Sequence, residues 1–597
     1  MKISQLSIEN FRGVRTAHLL LPDHAVLIGD NNTGKSTVLE ALDLVLGPDR
    51  LSRLSPIDEH DFHLGRYLQA DAASEAASSG AENDEAATGP PQIVVTATVT
   101  GLSEEQRSYF GDYIEWWDAS KQEFYDTPDP AGLDTSPSVP GLRITFIGNY
   151  DPEEDDFEGK TYFTRTLEEN ETPTPFTKRD KQKCGFLYLR SIRTGSRGLT
   201  LERGSLLDII LRLKEIRPKM WEATLAKLSA FDVAGDPELG ISGVLGSIDA
   251  AIKKYVPREW GIQPHLRVSA LTRRHLREVI TAFIATGSGG HSAPYYRQGT
   301  GTINMLLLAM LSQIAEDKQN VIFAMEEPET AIPPYAQKNI IHELRKLSAQ
   351  TLFTSHSPYV LEEFALDETV VLHRSADGEL TQASVVLPDS VKQKRYRQEF
   401  RTRFCEGLLA RRVLVAEGAT EATAIPAVAR RLSELNPAIY VSLESLGISV
   451  LDAGSETQIA DLAGLYRKLG KETFAICDKQ PDDRKVAIEA AVKMLFMHGE
   501  SGFENLVLKN TTQAALERFA VSLQWPPHLL SKYPDLKKNT GAALADYFDW
   551  SKGNWGLADY LAQCSEAEIP KWLREVCLAL KGQCQAPPAA PPPGSKG

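Results

Sequence analysis

A glycine-rich turn near the start of this chain, answered far downstream by an acidic strand end, requires one αβ layer to be assembled from two distant stretches. The turn is Gly29-Asp30-Asn31-Asn32-Thr33-Gly34-Lys35-Ser36. Before it, Ala25 to Ile28 is the short apolar run of a buried strand. After it, Thr37 to Leu42 has helical spacing. Strand, turn and helix are the context a phosphate loop requires. Downstream, the apolar run Val321 to Met325 ends at Glu326-Glu327-Pro328-Glu329, and another strand ends at Thr354-Ser355-His356-Ser357-Pro358. These three segments read as one split nucleotide site.

Each residue type has a physical reason. Gly29 and Gly34 let backbone N–H groups curl around phosphate oxygens. Lys35 supplies counter-charge to the β- and γ-phosphates, and Ser36 offers a hydroxyl to Mg²⁺. Asn31, Asn32, Thr33 and Thr37 complete the expected cradle. Hydrolysis needs an acid on the metal side and a base to orient water. Glu326 and Glu327, at a strand end, are the candidates for those two roles. Gln298-Gly299-Thr300-Gly301-Thr302 precedes an apolar helical run, Ile303 to Met310. Gly299 and Gly301 there could form a second anion site at a helix N-terminus, although a plain loop turn is the commoner meaning of such a segment.

A second acidic αβ unit follows. Val413 to Ala416 is a strand run ending at Glu417-Gly418, and Glu421 stands one helical turn later. Ile448 to Leu451 ends at Asp452, and Thr473 to Cys477 ends at Asp478. In an open parallel sheet, sites gather at the carboxyl ends of the strands. Carboxylates there can hold Mg²⁺ or Mn²⁺ and support phosphodiester cleavage. Any one of them alone reads as a solvated strand end or helix cap. The recurrence at successive ends argues for a metal site.

Composition bounds the rest. With 597 residues, the chain is long enough for two or more domains, each with its own core. A net charge of −15 argues against a nucleic-acid coat protein but not against local basic patches. No run of about 18 apolar residues predicts a membrane span, and Met1-Lys2-Ile3-Ser4 opens no secretory segment. The six cysteines carry no Cys-x-x-Cys spacing, which fits a cytoplasmic protein without a zinc site. Residues 70–91 lack large apolar side chains and read as a disordered insertion, as does the Pro/Ala tail at 583–597. Residues 200–285 form a helical block. Basic clusters occur at Arg190, Arg193 and Arg197, at Arg267, Arg273, Arg274 and Arg277, and from Lys392 to Arg403. Phosphate binding and solvated helix faces are both open readings of them.

The set resembles the ABC-type ATPase heads of the SMC and recombination-repair group. Phe11-Arg12-Gly13 is similar to their N-terminal motif, which implies nucleotide contact by Arg12. Glu326-Glu327 is similar to their Walker B motif, and His356 to their switch histidine. Gln298–Thr302 resembles a degenerate signature motif, which in those heads meets ATP bound to the opposite subunit. Glu326 stands where the family has Asp. Glu417-Gly418-x-x-Glu421 followed by strand-borne aspartates resembles a Toprim domain, although the usual Asp-x-Asp reads Asp478-Lys479-Gln480. Asp482, Asp483 or Glu504 could supply the missing carboxylate. Resemblance to related nucleases favours Glu504. Lys552 could offset transition-state charge, although an exposed lysine is its commoner reading.

An ABC-type head followed by a Toprim domain resembles the overcoming-lysogenization-defect (OLD) family, which includes the Gabija nuclease subunit. The implied fold class is α/β: an ATPase head with a helical insertion at 1–390, and a Toprim domain with a helical C-terminal part at 391–582. The helical block corresponds in position to the family's dimerisation insert. The resemblance implies an ATP-binding, Mg²⁺- or Mn²⁺-dependent DNA endonuclease or nickase, a homodimer or larger, in anti-phage defence, and it admits a separate helicase partner. The rival reading, prompted by Gln480, is a nucleotide-switched DNA-binding scaffold with a degenerate Toprim domain.

Overall fold

A computed structural model of the chain describes residues 1–48, 56–68, 90–125, 138–169, 172–190, 199–201, 205–229, 241–254, 272–285, 292–317, 320–389, 401–552 and 556–584. Most of the insertion at 70–91, most of the tail at 583–597, Arg193, Arg197, Arg267 and most of Lys392–Arg403 lie outside these residues. The chain divides into two compact units. One comprises Met1–Arg12 and Ser36–Thr354, the other Gly13–Lys35 and Ser355–Gly597.

The first unit contains an antiparallel array. Lys2–Phe11 pairs with Ile93–Thr100, which pairs with Ser138–Asp151. That long strand also takes Asp156–Phe163 and Glu115–Asp118 as partners. These strands are rich in Val, Ile, Thr and aromatic residues, which fit a pleated, half-buried surface. The unit also holds a parallel triplet, with Ile322–Glu326 between Phe186–Leu189 and Gln350–Thr354. Ile322 to Met325 are all buried. A parallel strand covered on both faces produces such a continuous apolar run.

One polar residue of this triplet, Gln350, is fully buried at the start of its strand. Its amide accepts from the Ile3 N–H at 2.7 Å and donates to the Ile3 carbonyl at 2.9 Å. A side chain thus does for Ile3 what a neighbouring strand would do, and it ties the N-terminal strand to the parallel triplet. Lys181 is likewise fully buried and donates to the Leu44 carbonyl at 2.7 Å, in the last turn of the helix Lys35–Leu46. Between these elements the helical block resolves into Leu206–Leu213, Arg217–Ser229, Ile241–Ile252 and Arg273–Val279, with a short strand at Phe283–Ala285.

The second unit contains His24–Ile28 parallel to Thr369–Arg374, which pairs antiparallel with Glu379–Ser384, itself parallel to Val14–Leu20. It also contains a four-stranded, all-parallel sheet in the order Ile448–Asp452, Arg412–Ala416, Glu472–Cys477, Met494–Met497. The helix Ala419–Leu435 and the C-terminal helices from Phe503–Lys509 to Lys571–Cys584 bury a common core with this sheet. All six cysteines are free. Among the described residues no helix is long and apolar enough to cross a membrane.

Gln350→Leu should lower the stability of the first unit by about 2–6 kcal/mol. It strands a buried N–H and a buried carbonyl of Ile3, and each such group costs about 1–3 kcal/mol. Thermal or urea unfolding of the full chain reads the change, and an unaltered transition would remove this role from Gln350.

Candidate functional site

The phosphate loop leaves the buried strand His24–Ile28. At Gly29 a Cβ would sit 2.7 Å from the Leu372 carbonyl, so only glycine fits beside that strand. Gly34 has φ +109, a conformation that side-chain-bearing residues rarely adopt. Thr33 Oγ1 donates to the Asp30 carbonyl at 2.9 Å. The Lys35 ammonium is buried and donates to the carbonyls of Gly29 and Asp30 at 2.8 and 3.0 Å. Its charge therefore rests over the concave side of the turn. Asn31, Asn32 and Ser36 are exposed, and Thr37 is half-buried in the first turn of Lys35–Leu46.

The Lys471 side chain, only 4% exposed, immediately precedes the strand Glu472–Cys477. Its Nζ lies 3.9 Å from Asp30 Oδ1 of the phosphate loop, in the same compact unit. Burial lowers its pKa, and the Asp30 charge opposes that effect. Next to it, the His373 ring fills the space where a Gly470 side chain would go.

In the other unit, Glu326 ends its strand and accepts from the Tyr188 hydroxyl. Burial, then the Glu326 charge, raises the Tyr188 pKa, so the phenol stays protonated. Glu327 has φ +44, strained for a non-glycine residue, and is held there by its N–H donating to the Thr354 carbonyl at 2.9 Å. The turn after it contacts the Gln298–Thr302 segment. Asn304 donates to the Thr330 carbonyl, and a Cβ at Gly301 would stand 2.7 Å from the Ala331 carbonyl. Thr300 already begins the helix Thr300–Asp317, while Gly299 is exposed before it. Gly301 is thus required by close packing within its own chain. Arg12 (φ +53) pairs with Glu40 at 2.6 Å and with Asp61 at 2.7 Å, and Arg190 approaches Glu40 at 3.5 Å. His356 is exposed just after the strand Gln350–Thr354.

The Toprim carboxylates occupy one end of the parallel sheet. Ala416 is in register with Asp452 on one side and with Ile476 on the other, so Glu417, Asp452 and Asp478 leave the sheet at the same edge. Glu421 lies in the first turn of Ala419–Leu435, and Gly418 before it would bring a Cβ 3.3 Å from the Glu421 carboxylate. Glu417 Oε2 accepts from the Asp478 N–H at 3.0 Å and from the Gln480 amide at 3.1 Å. Asp478 Oδ2 accepts from the Gly502 N–H at 2.8 Å. Glu504 accepts from the Thr420 hydroxyl at 3.0 Å, with Lys552 Nζ 3.7 Å away. Asp452 turns back to the Gly454 N–H at 2.7 Å.

The electrostatics follow from this crowding. Burial, reinforced by the charges of Asp478, Glu417 and Glu504, pushes the Glu421 carboxyl up to about 7. Burial also raises Glu417; the Asp478 N–H opposes the rise, and the charges of Asp478 and Glu456 add to it. Burial pushes the Cys477 thiol up to about 12. Among the described residues, no three His, Cys, Asp and Glu side chains stand in a ready-made metal cage. The donor chemistry nevertheless fits a hard divalent cation. Hard oxygen ligands share one field, and Gln480 Oε1 is buried without a hydrogen-bond partner. Asp482 and Asp483, the other candidates for the missing carboxylate, are exposed at the start of the helix Asp482–Ala491.

Sequence reasoning missed His498, Lys471 and the Gln480–Glu417 bond. None carries a local signal, since each depends on which strand lies beside which. Several described arginines of the basic clusters make contacts within the chain. Arg273 pairs with Glu222 and Arg274 with Glu278, Arg277 lies over the Trp221 ring, and Arg401 donates to the carbonyls of Glu362 and Phe364.

A model of the AAA ATPase domain matches residues 1–87 and 241–361, and a model of the overcoming lysogenization defect protein-like Toprim domain matches residues 408–479. A search of curated proteins returns no match. Among solved structures, the SMC head domain from Thermotoga maritima aligns at 11% identity over 65% of this chain and 100% of that one, with a TM-score of 0.27. The C-terminal region of the Xanthomonas campestris pv. campestris OLD protein aligns at 16% identity over 30% and 96%, with a TM-score of 0.23. The corresponding region of the Burkholderia pseudomallei OLD protein aligns at 16% over 30% and 99%, with a TM-score of 0.22. The chain thus combines an AAA ATPase domain with, after it, an OLD-like Toprim domain.

Proposed function

We propose that this protein is an ATP-binding, metal-dependent DNA endonuclease or nickase that acts in anti-phage defence as a homodimer or larger assembly. In this reading residues 1–390 form the ATPase part and residues 391–582 the nuclease part. The observation that carries it is the gathering of Glu417, Glu421, Asp478 and Glu504 in one electrostatic field at the carboxyl end of a parallel sheet. Like charges cost free energy when crowded and half-buried. A divalent cation offsets that cost, and phosphodiester cleavage makes use of such a cation.

Glu417, Glu421, Asp478 and Glu504 would hold Mg²⁺ or Mn²⁺, with Asp452 close by at the same sheet edge. The bound ion would supply Lewis acidity toward a phosphodiester. Lys552, beside Glu504, would offset charge on the phosphate. Gln480 contributes only a neutral amide, and its donation to Glu417 orients that carboxylate. In the ATPase part, Lys35 would bind the β- and γ-phosphates, Ser36 and Glu326 the metal side, and Glu327 would orient the attacking water. By resemblance, Arg12 would contact the nucleotide, His356 would act as the catalytic switch histidine, and Gly299 and Gly301, at a helix N-terminus, would meet ATP bound to the opposite subunit.

One observation favours the scaffold reading. The Gln480 side chain stands where a further carboxylate would be, and its amide occupies one Glu417 oxygen, Oε2. Supercoiled plasmid incubated with Mg²⁺ or Mn²⁺, with and without ATP, separates the two readings. Glu417→Ala and Asp478→Ala should each reduce cleavage to background while ATP hydrolysis persists. Cleavage at the parent rate by both variants would leave the scaffold reading in possession.

The ATPase assignments are tested separately. Lys35→Ala should abolish binding of a non-hydrolysable ATP analogue in calorimetry, because the loop loses its counter-charge; unchanged affinity would remove the phosphate-loop assignment. Glu327→Gln should bind the analogue like the parent and lower turnover by about 100-fold or more, the scale of general-base loss. Parental turnover would mean that another group orients the water.

A further inference from the structure

His498 follows the strand Met494–Met497, directly beside the strand that ends at Asp478. Its side chain is only 2% exposed. The ring packs against Trp572, with centroids 5.1 Å apart, and against Phe503 at 6.1 Å. An apolar residue would satisfy those two neighbours. Instead a ring nitrogen, Nε2, is brought 2.9 Å from Asp478 Oδ1. Neither atom completes a hydrogen bond with any described group, and Nδ1 has no partner either.

The opposite oxygen, Asp478 Oδ2, is fixed by the Gly502 N–H at 2.8 Å, and Gly502 has φ +93, a conformation that suits glycine. Asp478 is therefore gripped on one oxygen by a turn and faced on the other by a buried imidazole. The neighbouring position that would offer a second carboxylate holds Gln480 instead, and its Nε2 is committed to Glu417 Oε2 and the Asp478 carbonyl. With one carboxylate fewer, the orientation of Asp478 weighs more heavily on any cation the site binds.

We propose that His498 is a positioning residue for Asp478, holding that carboxylate in the rotamer that binds the divalent cation. The inference rests on the metal-site reading above and goes beyond it by assigning a residue that belongs to no recognised motif. Partners of ligating carboxylates fix ligand orientation, and losing one weakens metal binding by about 10–100-fold.

The test is a Mn²⁺ titration of the full chain followed by electron paramagnetic resonance, with no nucleic acid and no turnover. His498→Phe keeps a ring against Trp572 and Phe503 and removes both nitrogens. His498→Gln keeps an amide nitrogen near the place of Nε2. Mn²⁺ affinity should fall by about 10–100-fold in His498→Phe and stay within about three-fold of the parent in His498→Gln, with ATP-analogue affinity unchanged in both. Parental Mn²⁺ affinity in His498→Phe overturns the proposal, as does equal weakening in both variants. Should His498→Phe not fold, His498→Asn, too short to reach Asp478, takes its place with the same two readings. Loss of Mn²⁺ in Asp478→Asn but not in His498→Phe removes only the role of His498. A parent protein that binds no Mn²⁺ removes the metal reading as well.

Discussion

Mutual repulsion among carboxylates at the edge of the parallel sheet is the constraint around which the Toprim part is arranged. Parallel strands all expose their carboxyl ends on one side, so acidic residues placed just after each strand must meet. The cost appears as a Glu421 carboxyl pushed up to about 7, by burial first and by its acidic neighbours after that. The protein lowers this cost with donors: the Asp478 N–H and the Gln480 amide on Glu417, the Gly502 N–H on Asp478, and the Thr420 hydroxyl on Glu504. Each donor also aims a carboxylate. The same bonds that make the metal-free protein tolerable pre-orient the groups that the proposed cation would use.

Charge is handled differently at the phosphate loop. There the Lys35 ammonium is held by loop carbonyls, and the acidic residue of the loop, Asp30, faces buried Lys471. Lys471 immediately precedes the strand that delivers Asp478. The loop and the Toprim strand thus share an ion pair within one compact unit. The strand-end geometry at Glu327 is local instead: a left-handed backbone held by Thr354 turns that residue out of the strand direction.

Much of this was legible in the sequence because parallel strands buried on both faces are written as unbroken apolar runs. Val413 to Ala416 and Thr473 to Cys477 fall within buried central strands, Ile448 to Leu451 falls within a half-buried edge strand, and each run stops at the acidic residue that ends it. The phosphate loop was legible for the same reason, as a buried strand feeding a helix through glycines. What sequence could not reveal is long-range pairing. Gln350 looks like a polar interruption in an apolar run until Ile3, far away in the chain, is placed beside it. His498 looks like a core histidine until the neighbouring strand brings Asp478 to it. Gly301 reads as part of an anion-binding helix start, and only the fold shows that it also packs against the backbone of the turn after Glu327.

The central claim is that the acidic edge of the Toprim sheet is a divalent-cation site despite Gln480. Anomalous diffraction from crystals of the full chain grown with Mn²⁺ addresses it directly. The account predicts anomalous density about 2.0–2.6 Å from carboxylate oxygens of Glu417 and Asp478, the range for hard-cation oxygen ligands, with Glu421 or Glu504 completing the shell. Crystals in which Mn²⁺ occupies the phosphate-loop region alone, leaving the sheet edge free of anomalous density, would contradict it.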